Sequence, residues 1–240
     1  MCVVALALDA HPKWRIILAG NRDEFHARPS APLARWEGAD SHIIAGRDLV
    51  SGGTWLGVSE TGRMAVVTNI RTGTPPDPAK ASRGDLVIDY LRGNGAPALQ
   101  TLNHYNAFSL ITIGSEGATL IANHPSPMTM QIPAGIHGLS NGLPQEDWPR
   151  KSRLLAAFSE VIGTTIDLPS AMFDLLASES IDDSIFIRSD VYGTRCSTLV
   201  LVDYQGIGLV VEQRFGPGGD NAGRIEISFA FQPAPVPTAL

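Results

Sequence analysis

Apolar runs of five or six residues recur along the chain, separated by short polar or glycine-rich breaks. Residues 3–8 and 14–19 are two such runs, and His11-Pro12-Lys13 between them reads as a turn, so the chain opens on a predicted hairpin. Ile16-Ile17-Leu18-Ala19 is apolar at every position, the pattern of a strand covered on both faces. Residues 57–59 and 64–68 flank Glu60-Thr61-Gly62-Arg63, and residues 108–113 and 118–122 flank Gly114-Ser115-Glu116-Gly117, giving two further hairpins. Residues 198–203, 208–213 and 224–231 read as closing strands, with Gly216-Pro217-Gly218-Gly219 as the last turn.

Helical spacing marks other stretches. Leu86, Val87, Tyr90 and Leu91 share one side of a predicted helix over 82–91, and 96–105 reads as a second. Asp147-Trp148-Pro149 opens a third, whose Leu154, Leu155, Phe158, Val161 and Ile162 form one apolar face, and 169–177 reads as a shorter fourth. Residues 72–81, with Pro75, Pro76 and Pro78, read as an exposed loop, and 232–240 as a proline-rich C-terminal tail. The order strands, helices, strands, helices, strands predicts an α+β fold of two stacked, mainly antiparallel sheets with helices outside, in one domain over 1–231.

Composition narrows the function classes. The 240 residues are 44% hydrophobic and carry a net charge of −6, enough for a sizeable core. No Lys/Arg cluster interleaves with aromatics, so nucleic acid is not an expected partner. The first residues carry no basic leader, and no apolar stretch approaches the roughly 20 residues of a membrane span, so no secretory signal and no stable membrane insertion are expected. Cys2 and Cys196 do not make a disulfide framework, which makes a reduced, cytoplasmic setting the default. The six histidines show no zinc-ligand spacing, so neither metal nor cofactor is expected. A homo-oligomer remains open.

Cys2 stands directly behind Met1. Trimming of Met1 would leave one residue carrying both a thiol nucleophile and an α-amine able to act as its base, with reference pKa values of about 8.5 and 7.7–8.0. In the predicted hairpin the end of the second strand returns to the start of the first, which brings Asn21-Arg22-Asp23 beside Cys2. Asp23 could hold the α-ammonium or orient the thiol there, and Arg22 could grip a substrate carboxylate in forked fashion. Asn69 ends an apolar strand and Asn141 follows Gly138-Leu139-Ser140 in a predicted turn. Either is an ordinary turn residue, or a side-chain amide for an oxyanion. Arg195, ahead of a very apolar strand, is a surface salt-bridge partner or an electrostatic aid to a thiolate. Cys196 reads as a small core residue, and His26, Arg28 and Arg83 as solvated.

Met1-Cys2, the stretch Leu18-Ala19-Gly20-Asn21-Arg22-Asp23-Glu24-Phe25 and Arg28-Pro29 together resemble the NRDE family, the Transport and Golgi organization protein 2 family. Gly52-Gly53-Thr54-Trp55-Leu56-Gly57, Thr68-Asn69, Ser82-Arg83-Gly84, Tyr105-Asn106, Gly138-Leu139-Ser140-Asn141 and Gly193-Thr194-Arg195 follow in the same order, up to about Phe231. The family in turn is similar to N-terminal nucleophile hydrolases of the penicillin V acylase and bile salt hydrolase branch. That resemblance implies a four-layer α-β-β-α sandwich and amide hydrolysis. Cys2 is then the nucleophile, Asp23 the carboxylate near it, Asn69 and Asn141 the asparagines around the oxyanion and α-amine, and Arg195 the arginine close to the thiol. Asn21, Arg22 and Trp55 are the expected substrate contacts. The local order Gly20-Asn21-Arg22-Asp23 departs from that branch, so substrate recognition does not carry over. The expected partner is a small acyl amide. The rival reading is a non-catalytic carrier for a hydrophobic ligand, haem or a lipid acyl group, on the same fold. A glutaminase module is disfavoured, because no synthase domain is present and Val3 replaces the small residue that typically follows that nucleophile.

Overall fold

The computed structural model describes residues 2–143, 145–165 and 167–232. Met1 and residues 233–240, most of the expected tail, lie outside the described residues. The chain forms strands β1 (Cys2–Leu8), β2 (Trp14–Phe25), β3 (Ser30–Arg35), β4 (Ile43–Asp48), β5 (Leu56–Ser59) and β6 (Arg63–Asn69), then helix α1 (Arg83–Leu91). Next come β7 (Phe108–Gly114), β8 (Gly117–Ala122), β9 (Met128–Ile132) and β10 (Gly135–Leu139), then α2 (Pro149–Thr164) and α3 (Leu168–Leu176). Strands β11 (Tyr192–Asp203), β12 (Ile207–Phe215) and β13 (Asn221–Ala230) follow.

Strand alternation builds two antiparallel sheets, ordered β10-β1-β2-β11-β12-β13 and β3-β4-β5-β6-β7-β8-β9. Val4, Leu6, Leu8, Ile16 and Leu18 point into the space between the sheets, where Ile44, Val58, Val66 and Ile111 of the second sheet meet them. Val3, Ala5, Ala7, Ile17 and Ala19 point the other way, onto Leu154 and Phe158 of α2 and Met172 and Leu176 of α3. The small residues on that face let α2 lie close to β1. Leu86, Val87 and Leu91 of α1 cover Ala65, Val67 and Leu110 on the outer face of the second sheet. These are the four layers, helix, sheet, sheet, helix, of the α+β sandwich. No described helix is long and apolar enough to cross a membrane.

Two glycine sites fix close approaches. A Cβ on Gly20 would stand 2.7 Å from the Val3 carbonyl oxygen, so glycine lets β2 press against β1 just before the polar stretch begins. A Cβ on Gly53 would stand 2.8 Å from the Gly84 carbonyl carbon and one on Gly84 3.0 Å from the Thr54 backbone, so the two glycines seat the start of α1 against the segment leading into β5.

The structure departs from the sequence reading in four places. Residues 96–105 form only a 3-10 helix over Leu99–His104, because Pro97 breaks its start and Leu102 alone is buried. Strands β3, β4, β9 and β10 fell outside the predicted set. β3 contains Pro32 and buries only Leu33, and β9 buries only Ile132, so neither has the apolar alternation of an interior strand. β10, expected to lead into a turn, is the edge strand beside β1. Finally, β2 continues through Asn21-Arg22-Asp23-Glu24, and β11 starts six residues early, because their polar side chains find fixed partners instead of solvent.

Asn21 is the firmest of those partners. It is fully buried, its Nδ2 donates to the carbonyls of Leu176 and Ile185 at 2.8 Å each, and its Oδ1 accepts from Ser197 Oγ at 2.6 Å. It was expected among the substrate contacts; instead it faces the helices and ties β2 and β11 to the end of α3. Replacing it with alanine removes the donor to the Leu176 carbonyl and the acceptor of the Ser197 hydroxyl, and leaves the Ile185 carbonyl to Arg150. Asn21→Ala should therefore cost roughly 2–4 kcal/mol, read as a lower urea midpoint at an unchanged denaturant slope.

Candidate active site

Cys2 opens β1 and pairs with Arg22 of β2, which in turn pairs with Cys196 of β11. Directly paired residues share a sheet face, so all three side chains lie on the face between the sheets. Cys2 is 9% exposed. On its other side, β1 pairs with β10 in a register that sets Val4 against Leu139. Asn141 follows two residues after β10 ends at Leu139.

Asn141 is buried, and its Nδ2 donates to Asn69 Oδ1 at 2.8 Å and to the Asn69 carbonyl at 3.0 Å. The Asn141 carbonyl accepts from the Arg71 N–H at 2.8 Å. Asn69 ends β6, so this contact clips the first sheet to the second. With its oxygen engaged, the Asn69 amide presents its NH2 in the opposite direction as a donor.

Arg83, read from sequence as solvated, is half-buried at the first position of α1 and donates to the Ala107 carbonyl at 3.2 Å. Burial draws its pKa down, and the neighbouring Cys2 sulfur and Glu24 carboxylate oppose that. The available signal was the Ser82-Arg83-Gly84 motif itself: Ser82 Oγ accepts from the Gly84 N–H and caps the helix, which fixes the direction in which the next residue leaves.

Asp23 lies on the opposite face of β2 from the thiol. It accepts from Thr194 Oγ1 at 2.7 Å and pairs with Arg150 of α2, whose other arm donates to the Ile185 carbonyl at 2.6 Å. The backbone nitrogen of residue 2 lies in the plane between the two faces. Nothing in the sequence reading signalled Arg150, because a single arginine in a helix opening is usually surface.

The remaining candidates are built into the wall. Arg22 donates to Asp48 at 3.0 Å, and Arg28 holds both Asp48 oxygens, at 2.6 and 3.0 Å, so Arg28 is a fork on a carboxylate and not a solvated residue. Arg195 sits at a bulge in β11 and donates to the carbonyls of Phe25, His26 and Arg28 at 2.8, 3.2 and 2.8 Å, which fastens the turn after β2. Its guanidinium bonds backbone oxygens there. Trp55 is half-buried and, with Arg22, Arg195, Cys196 and Glu212, lines a small cleft of about 350 Å³. Burial and the Glu212 carboxylate push the Cys196 thiol far above its ordinary range, as a core cysteine requires. Among the described residues no cluster of His, Cys, Asp and Glu could hold a metal ion. Two larger spaces are present. One reaches Asn69 and carries Arg71, Lys80 and Arg83 in its wall; the other is apolar and is lined by Met128, Met130, Leu139 and Leu155.

The two-sheet sandwich with outer helices is a fold shared with solved hydrolases. It superimposes on an N-acylethanolamine-hydrolyzing acid amidase ortholog from Caenorhabditis elegans with a TM-score of 0.58 at 11% identity, over 83% of this chain and 92% of the other. A cysteine-to-alanine variant of the conjugated bile acid hydrolase from Clostridium perfringens matches with a TM-score of 0.53 at 9% identity, over 95% of this chain and 92% of that one. The chain belongs to the Transport and Golgi organisation 2 family, whose family model matches residues 1–217. It is 30% identical to the mouse and human homologs of Transport and Golgi organization 2, over 86% of this chain and 90% of each, and 26% identical to the Drosophila melanogaster protein, over 85% and 88%.

The Asp48 hub makes a pH prediction. Burial pushes its carboxyl up, but the bonds from Arg28 and Ser51 and the charge of Arg22 outweigh burial and hold it below the ordinary carboxylate range. A lowered native pKa gives stability that is complete above about pH 4 and is lost as pH falls through the depressed value. Asp48→Asn should lower stability at pH 7 by roughly 1–3 kcal/mol, and the gap between the two proteins should close below about pH 4, measured by urea melts across that range.

Proposed function

We propose that this chain is an N-terminal cysteine hydrolase that cleaves an acyl amide through a thioester on Cys2. One arrangement supports the reading: Asn141 is bonded to Asn69 of the second sheet, and the strand that Asn141 follows pairs with the strand that Cys2 opens. The two solved neighbours support it, since both are named as hydrolases, one of N-acylethanolamines and one of conjugated bile acids.

In this mechanism Met1 is removed and the α-amine of Cys2 takes the thiol proton as sulfur attacks the substrate carbonyl. The Asn69 NH2 and backbone N–H groups stabilise the oxyanion. The C–N bond breaks, the leaving nitrogen takes the proton from the α-amine, and the free amine departs. Water, deprotonated by the same amine, then attacks the thioester and releases the carboxylic acid and the thiol. Asn141 holds the Asn69 amide, Asp23 and Arg150 brace the strand that carries Arg22, and Arg83 supplies positive charge near the sulfur. Arg195 acts by fastening the turn that frames the site. The substrate is a small acyl amide handled without metal or cofactor.

A second reading rests on the apolar space lined by Met128, Met130, Leu139 and Leu155, which suits a carrier for a hydrophobic ligand on the same fold. Stoichiometric binding without turnover would favour the carrier.

The test is a panel of acyl amides presented to protein whose N-terminus has been verified by intact mass. Cys2→Ala should abolish turnover and the acyl adduct on the protein while leaving the thermal melt in place. Asn69→Ala should lower kcat by about 100- to 1,000-fold, the loss of one oxyanion donor. An active Cys2→Ala protein would overturn the mechanism.

A further inference from the structure

Among the described residues the two sheets end on β10 and β13 and on β3 and β9. An edge strand presents a row of backbone N–H and C=O groups to any chain that can pair with it, and most edges are blunted. β3 holds Pro32 and a register shift, and β9 and β10 have five residues each. β13 has ten residues and no proline, and β12 alone pairs with it.

Alternation tells which groups of β13 face outward. Just past the strand, the Phe231 N–H donates to Gly206 on the β12 side, and the next N–H, of Gln232, turns away to Glu60 of the other sheet. The even-numbered residues from Arg224 onward therefore aim their backbone groups outward. The Ser228 carbonyl agrees, since Arg35 of β3 donates to it at 3.1 Å. The side chains divide as well. Ile225, Ile227 and Phe229 pack towards the core between the sheets. Arg224 and Glu226 lie on the helix-covered face, where Arg224 donates to Glu226 at 2.9 Å and stacks 4.4 Å from the Phe173 ring of α3.

We infer that the outer edge of β13 is an interaction surface for a second copy of this chain, with the two strands antiparallel across a two-fold axis at Ile225. In that register Arg224 of each copy faces Glu226 of the other. Both residues aim their backbone groups outward, so opposite charges and reciprocal ladder bonds form together. An axis at Arg224 or at Glu226 would set like charges against each other. An axis at Ile227 would set Glu226 against Ser228, whose carbonyl Arg35 already holds. With the axis at Ile225, that half-buried side chain meets its own copy and gains apolar cover. Arg35 ends the ladder on each side, so the contact is short and the dimer depends on concentration. The same edge serves both copies, which closes the assembly at two. This surface is independent of the hydrolase reading.

Sedimentation of the full chain should show a monomer–dimer equilibrium between about 10 μM and 1 mM. Across that range, amide exchange at Arg224 and Glu226 should slow about tenfold. Arg224→Glu and Glu226→Arg should each weaken the dimer about tenfold, because like charges replace opposite ones across the axis. Combining Arg224→Glu with Glu226→Arg should restore it. Glu226→Pro removes an outward N–H and leaves the β12 ladder whole, so it should keep the monomer's thermal melt and abolish the dimer. A monomer at every concentration overturns the assignment. So does a dimer in which exchange at Arg224 and Glu226 is unchanged, or one that survives Glu226→Pro. Weakening by the single reversals without rescue by the pair overturns the register at Ile225.

Discussion

The site depends on what happens to β2 at Gly20. Up to Ala19 this strand is dry on both faces, one against the sister sheet and one against α2 and α3. Past Gly20 it stays paired with β1 as far as Arg22 and with β11 as far as Phe25, but its side chains turn polar. A central strand of polar residues is stable only if each group is satisfied on its own face. Asn21 and Asp23 are satisfied towards the helices and Arg22 towards Asp48. Because both ladders continue through this stretch, the register is fixed, and a one-residue slip would send Arg22 into the helices and Asp23 into the sandwich. Register therefore decides which face Cys2 and Cys196 occupy.

The Asn69–Asn141 clip has the opposite character. Like the Arg22–Asp48 pair and the Leu33 N–H bond to Glu212, it adds a polar link between two sheets that meet mainly through apolar side chains. Apolar packing is non-directional and tolerates small sliding; a pair of hydrogen bonds from one amide to a side-chain oxygen and a carbonyl does not. The clip sets the distance between the strand that bears the cysteine and the strand that bears Asn69. Positioning of this kind lets an amide donor stabilise developing charge without reorganising during the reaction.

Much of the architecture was legible because it is written in uninterrupted apolar runs. The hairpins at β1–β2, β5–β6 and β7–β8 and the apolar face of α2 all follow from periodicity. The four missed strands lie at or near sheet edges or carry few buried residues, and edge strands obey their neighbour's backbone more than their own sequence. The composition of the site was legible in part. Arg22 pairs with Cys2, Asp23 follows on the opposite face of the strand, and Asn69 and Asn141 bond each other across the sheets. Alternation within β2 implies that Arg22 and Asp23 point opposite ways, but a polar triplet after an apolar run looks the same whether it continues the strand or leaves it. Arg83 and Arg150 were not legible as site neighbours, because each reaches the seam through the packing of a helix on a sheet and no local pattern encodes that distance.

The two cysteines make the final point about environment. They flank Arg22 in register, one on each side, on the same face of the same sheet. Cys196 is mid-strand, buried beside Glu212, and both influences disfavour a thiolate. Cys2 is at the strand's end, and Arg83's own titration registers the sulfur. Two residues of one type, one strand to either side of Arg22, therefore sit in different surroundings: Cys196 is closed in beside a carboxylate, and Cys2 lies where its strand begins, near the Arg83 guanidinium.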